Sequence, residues 1–307
     1  MIRGTGNMTV PAAVTALGTL ALIPLSPCLI FGWGPFQDLG VVGGAVAVLL
    51  FYAGGTVALY SYVHGHRSVV RLSFANIRFR SAFFSEILRV GSVASLITIQ
   101  TNLTIAIATG FVGHFGTAAI AGYGTASRLE YLLIPLVFGF GGPLVAMVGT
   151  NIGAGRRDRA LRAAWIGAWI AGALTTAIGV TAAIAPRTWL SLFGTDPAML
   201  DAGSRYLHIV GPFYGFFGFG MALYFASQGA GRLSWPLLAN QVRFAIAVGG
   251  GFVAMRVSGD VSLVFFALGA ALAAFGLLNA AAVAAGAWSG PVSAAMRVRR
   301  RLAAPQL

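Results

Sequence analysis

Apolar runs of about twenty residues or more follow one another along this chain, with only short polar breaks between them. At 1.5 Å per residue, such a run matches a hydrocarbon core of roughly 30 Å. Only 9% of the 307 residues are charged, against about 25% in an ordinary soluble domain, so what remains cannot cover a water-facing surface. The solvent of this chain is lipid. Eight helical spans are predicted near residues 10–32, 41–63, 87–112, 117–150, 159–184, 199–227, 235–256 and 261–288. Turn chemistry marks the breaks: Gly34-Pro35 and Gly40, Gly113 to Gly116, Gly153 to Gly155, and Asp196-Pro197.

The formal charge of +13 raises the question of nucleic acid, and its placement answers it. All twenty basic residues are arginines, clustered in short breaks between apolar spans, which is the habit of cytoplasmic loops and not of a face that grips phosphates. With alternating helices, one side holds Arg67, Arg71, Arg78, Arg80, Arg156, Arg157, Arg159, Arg162, Arg232 and the tail Arg297, Arg299, Arg300 and Arg301. The other holds Asp38, Asp196, Asp201 and Asp260 with few arginines. The positive-inside rule then places both termini in the cytoplasm, and the expected location is a plasma (inner) membrane. Cys28 stands alone in an apolar stretch, so no disulfide or cysteine metal site is expected.

The stretch Arg3-Gly4-Thr5-Gly6-Asn7-Met8-Thr9-Val10-Pro11 recurs 225 positions later as Gln228-Gly229-Ala230-Gly231-Arg232-Leu233-Ser234-Trp235-Pro236, with two glycines and a proline in register. Both copies precede two apolar spans, the mark of a transporter built from two parallel units. The expected fold is therefore an all-α polytopic membrane protein with eight transmembrane helices: the last two of an N-terminal six-helix lobe, then a complete C-terminal lobe. Its divisions are the end of the first lobe (1–63), a cytoplasmic interfacial linker (64–85), the C-terminal lobe (86–290) and a basic cytoplasmic tail (291–307). On this reading roughly 140 residues, about four helices, would precede Met1 in a complete transporter; a genuinely short transporter is the alternative.

Several motifs resemble those of the multidrug and toxic compound extrusion (MATE) family of cation-coupled efflux transporters. They are Arg3-Gly4-Thr5-Gly6 with Pro11, the run Cys28 to Pro35 with Leu39-Gly40-Val41 and Gly43-Gly44-Ala45, then Ala118 to Gly124 leading to Arg128-Leu129-Glu130, Pro135, and Val148 to Gly155. The resemblance covers nearly the whole chain. It implies two six-helix lobes facing a central cavity, with export driven by inward proton or sodium flow, and this chain supplying helices five to twelve. The family's acidic residue on its first helix falls outside the sequence, and the one on its tenth helix aligns with Phe217; both departures bear on ion coupling.

Glu130 is the first candidate site residue, because an ionisable carboxylate well inside a span is costly in lipid and usually faces a cavity or a partner. It is expected either to bind the coupling proton or a cationic substrate, or to make a structural pair with another helix, with Arg243 as the partner. Gln100 and Asn102 in the third span, and Asn240 and Arg243 in the seventh, line a polar path or fasten helices together. Tyr214 and Tyr224 stand in an aromatic-rich sixth span able to hold organic cations by cation–π attraction. No histidine pair has metal-ligand spacing, and no glycine-rich turn leads to Lys-Ser or Lys-Thr, so neither a metal centre nor an ATP motor is expected. The predicted function is gradient-driven export of small organic, often cationic, compounds by alternating access. It needs no cofactor beyond the coupling ion, H+ or Na+, and involves no nucleic acid and no enzyme chemistry. The alternatives are a flippase for lipid-linked precursors, which would need several inward arginines, and a membrane fragment that does not transport.

Overall fold

The computed structural model describes Ile2, Asn7 and residues 9–33, 37–65, 81–257 and 259–288. The Arg3 to Gly6 motif, Gly34-Pro35, the linker arginines Arg67, Arg71, Arg78 and Arg80, and the tail arginines lie outside the described residues. The described residues form helices α1 (Thr9–Phe31), α2 (Gly40–His64), α3 (Ser81–Gly113), α4 (Thr117–Gly153), α5 (Arg157–Ile184), α6 (Pro186–Leu190), α7 (Pro197–Val210), α8 (Tyr214–Gly229), α9 (Ser234–Val257) and α10 (Val261–Ala284). Eight segments are long and apolar enough to cross a membrane, with α7 and α8 counted together as Pro197–Gly229. The architecture is that of a polytopic all-helical membrane protein.

The chain divides into two compact units, residues 1–79 and 80–307. In the first, α1 and α2 pack as a hairpin. Asn7 donates to the Tyr62 hydroxyl at 3.0 Å, and the Leu39 amide donates to the Leu29 carbonyl at 3.2 Å.

In the second unit consecutive spans alternate in direction, so their breaks gather at two ends. At one end Arg187 pairs with Asp201 at 2.9 Å and Arg205 with Asp260 at 3.4 Å. At the other, which carries Arg156, Arg157, Arg159, Arg162 and Arg232, the Trp288 indole donates to the Ser227 hydroxyl at 3.3 Å. The helix starts follow from local chemistry. Asp196 caps α7 by accepting from the Met199 amide, with Pro197 in the first turn, and Asp260 caps α10 by accepting from Ser262.

Two features depart from the sequence reading. The break after α5 contains the short helix α6, held where the Trp189 indole donates to the Thr125 carbonyl at 3.2 Å. The sixth span is not one helix: a 3₁₀ turn over Gly211–Phe213 separates α7 from α8. Pro212 lacks the N–H that an unbroken helix needs there. In addition, α3 starts at Ser81, so residues 81–85 are helical.

Small residues let backbones meet, the usual way for helices to associate in lipid. A Cβ at Gly122 of α4 would lie 2.6 Å from the Gly203 amide nitrogen and the Met199 carbonyl of α7, and one at Gly276 of α10 would lie 2.6 Å from the Phe216 carbonyl of α8. Gly215 and Gly218 of α8 sit against Thr176 and Thr175 of α5, so these glycines serve close contact. Packing leaves two apolar clusters stacked along the unit. One, around Tyr123, Leu133, Tyr206 and Phe265, lies toward the acidic end; the other, around Val137, Leu144, Ala164 and Leu223, lies toward the arginine-rich end.

Candidate functional site

Glu130 stands where the two apolar clusters meet, roughly 20 Å along α4 from its start at 1.5 Å per residue. Tyr123, seven residues earlier, shares its face of the helix. Across the α4–α7 contact the Tyr206 hydroxyl donates to the Glu130 carboxylate. Tyr206 is 1% exposed and its ring meets Tyr123 edge-on at 5.2 Å and Phe265 at 5.0 Å, so packing fixes the direction of its hydroxyl. Tyr214, at the first turn of α8, is fully buried; its hydroxyl faces Glu130 and Tyr206 but has no partner in hydrogen-bonding geometry.

The opposite charge comes from α9. Arg243 acts on Glu130 through its charge without a contact ion pair. Its guanidinium lies over two aromatic faces, 5.8 Å from the Phe217 ring centre and 5.6 Å from that of Phe275. Such stacking is worth up to about 2 kcal/mol away from water. Sequence reasoning named Arg243 as the partner for the structural reading of Glu130, beside the reading in which Glu130 binds the coupling proton or a cationic substrate. The structure gives the direct contact to Tyr206 and seats Arg243 on the Phe217 ring of α8 and the Phe275 ring of α10.

One turn before Arg243, on the same face of α9, Asn240 donates to the Gln100 side-chain oxygen at 2.7 Å, while the Gln100 amide donates to Gln241 at 2.5 Å. This amide trio joins α3 to α9. Glu130, Tyr214, Arg243, Gln100 and Asn240 are thus brought onto neighbouring helix faces. Asn102 and Tyr224 are not: Asn102 is exposed and bonds to the Thr98 carbonyl of its own helix at 2.9 Å, and Tyr224 packs beside Phe225 at 5.3 Å in the arginine-end core. Tyr206 was missed as a site residue. Its only sequence signal was a tyrosine within an aromatic-rich span, one ring among many.

Chemically, the site holds one carboxylate and one guanidinium, separated, with tyrosine hydroxyls around the carboxylate and aromatic faces beneath the cation. Among the described residues no three His, Cys, Asp or Glu side chains gather as metal ligands. Charged groups lodged mid-span inside a polytopic helix bundle mark a membrane transport protein. The comparisons name the family: residues 94–253 match the MatE family model, and the chain belongs to this family of transporters, which are not enzymes. Among curated relatives, an FAD transporter of Shewanella oneidensis is 30% identical over 218 residues, covering 70% of this chain and 47% of that protein. The probable multidrug resistance protein YoeA of Bacillus subtilis is 26% identical over 243 residues, 78% of this chain and 52% of that protein. The chain spans about half the length of the curated relatives it matches. Among solved structures, an outward-facing multidrug resistance MATE transporter superposes with a TM-score of 0.81 at 19% identity, covering 91% of this chain and 62% of that one. The MATE transporter ClbM in complex with Rb+ superposes with a TM-score of 0.77 at 21% identity, covering 98% and 65%. These structures share the fold.

Proposed function

We propose that this chain forms part of an efflux antiporter for organic compounds, in which Glu130 exchanges a proton for substrate. The reading rests on one observation: a lone carboxylate deep in a helix bundle, reached by a tyrosine hydroxyl from another helix and by an uncoordinated guanidinium charge. Relatives that carry FAD or confer multidrug resistance support organic cargo. Of the two coupling ions, the surroundings favour H+. Sodium is a hard cation that needs several oxygen acceptors, whereas Glu130 is faced by hydroxyls already donating or free to donate and by a positive charge. Residues 1–63 and 86–290 would be the end of one lobe and the whole of the next, rocking in alternating access, with 64–85 a cytoplasmic linker and 291–307 a cytoplasmic tail. The arginine-rich end faces the cytoplasm.

Everted membrane vesicles carrying the chain test this. An imposed proton gradient is expected to drive uptake of a fluorescent organic dye, a sodium gradient at constant pH is expected to drive none, and Glu130→Gln is expected to abolish the proton-driven signal. Wild-type uptake by Glu130→Gln would remove Glu130 from the coupling step.

A further inference from the structure

We propose that the groove between α9 and α10 at the arginine-rich end binds an anionic phospholipid, with one acyl chain lying along the groove and the head-group phosphate beside Arg232. The site is separate from Glu130, and nothing in it depends on the role of that carboxylate.

The groove comes from a change of side-chain size along two helices that otherwise pack side by side. Trp235, Leu238 and Val242 of α9 and Leu278 of α10 form its raised sides. Beyond Leu278, α10 and the turn after it present only alanines and a glycine to this space, Ala281 and Ala285 among them, and a cavity of about 310 Å³ is left with no charged side chain lining it. Trp235 is 49% and Leu238 50% exposed, so the groove is open along its outer side. From Trp235 to Val242 the helix rises roughly 10 Å, so a volume of about 310 Å³ corresponds to a channel about 6 Å wide. That width takes one hydrocarbon chain. A helix of a second protein, about 10–12 Å across with its side chains, does not enter it.

The acyl chain sets no preference among lipids, but the mouth of the groove does. The mouth lies at the first turn of α9 and the last turn of α10, level with the arginine-rich breaks. Gly286, in the left-handed region at φ +81°, turns the chain away from α10 there without placing a side chain in the opening. Backbone and side-chain bonds bring Arg232 to the same place. Its amide donates to the Ser227 carbonyl at 2.9 Å, and the Ser227 hydroxyl accepts at 3.3 Å from the indole of Trp288, the neighbour of the lining residue Ala287. No residue from Leu233 to Val242 or from Leu278 to Trp288 is charged, so Arg232 is the charge that meets a head group whose chain fills the groove. Basic positions between membrane helices hold anionic head groups in this way, and Trp235 stands at the level where indole rings favour the membrane boundary.

Phosphatidylglycerol with dibrominated acyl chains reports on the site, because bromine quenches an indole that it touches and Trp235 lines the groove. In mixed detergent micelles, quenching of the purified full chain is expected to saturate and to lose its saturable part in Trp235→Phe. Brominated phosphatidylcholine with the same chains is expected to bind about fivefold more weakly, the worth of one arginine beside an anionic head group. Arg232→Gln is expected to bring the two lipids level, while Arg159→Gln, an exposed arginine of α5 at the same end, leaves the preference in place. Ala281→Leu combined with Ala285→Leu, both at exposed positions, fills the groove and is expected to abolish saturable quenching by either lipid. Saturable quenching that survives the filling, equal binding of the two lipids by the wild type, or an unchanged preference in Arg232→Gln overturns the proposal. If the filled variant does not fold, the Arg232→Gln and Trp235→Phe results decide it alone. A doubled protein mass in the micelles without saturable quenching would assign the groove to a second copy of the chain and overturn the proposal as well.

Discussion

Replacing Gly122 with alanine puts one methyl group into the seam between α4 and α7, and its effect can be worked from the geometry. The added Cβ would stand 2.6 Å from the Gly203 nitrogen, 2.6 Å from the Met199 carbonyl oxygen and 2.8 Å from the Ala202 Cβ. These are backbone atoms or the first side-chain carbon, so no flexible group can turn aside. With comfortable contact near 3.5 Å, the two helices must part by about 1 Å. Overpacking of this kind costs about 1–3 kcal/mol, which for a unit of 150–250 residues lowers the melting temperature by roughly 2–12 °C. The separation also reaches Tyr206, one turn beyond Gly203, and lengthens its bond to Glu130. Gly124→Ala is the control on the same helix, because nothing lies within 4 Å of the new Cβ there. Thermal unfolding of the purified protein in detergent, followed by size-exclusion chromatography of the surviving fraction, compares the two. Gly122→Ala is expected to melt well below wild type and Gly124→Ala at or above it. Equal melting temperatures would mean that α4 and α7 do not meet at these glycines.

Gln100→Leu removes both bonds of the amide trio and leaves Asn240, 3% exposed, without its acceptor; a double-mutant cycle with Asn240→Ala is expected to give a coupling of about 1 kcal/mol. At the acidic end, the Ser262 backbone amide, then its hydroxyl and Arg205, hold the Asp260 carboxyl below its ordinary value. A carboxyl lowered on folding stabilises above the ordinary carboxylate range and ceases to do so as pH falls through its folded value. Asp260→Asn should therefore melt slightly lower than wild type at neutral pH, and the difference should close in acid; a difference that widens in acid would contradict the capping role.

The spans were legible because lipid permits few ways to satisfy a backbone, and run length reports them directly. The break within the sixth span was not, since Gly211 and Pro212 lie inside an unbroken apolar run and apolarity alone cannot distinguish one helix from two in line. Glu130 announced itself as a lone carboxylate in such a run. Its partner did not, because Tyr206 lies 76 residues away and only the α4–α7 packing brings it near. Arg243 was legible as a charge near Glu130 but not as a ring-stacked one. That depends on Phe217 and Phe275, from two other helices, converging on it.

The 3₁₀ turn at Gly211–Phe213 leaves Tyr206 and Tyr214 on separate rigid rods while both hydroxyls attend the same carboxylate. A hinge of 10° there would sweep the far end of the sixteen-residue α8 by about 4 Å, at 1.5 Å per residue, while Tyr214, beside the pivot, barely moves. The carboxylate is thus sheltered at the still point of a lever whose long arm ends among the arginines.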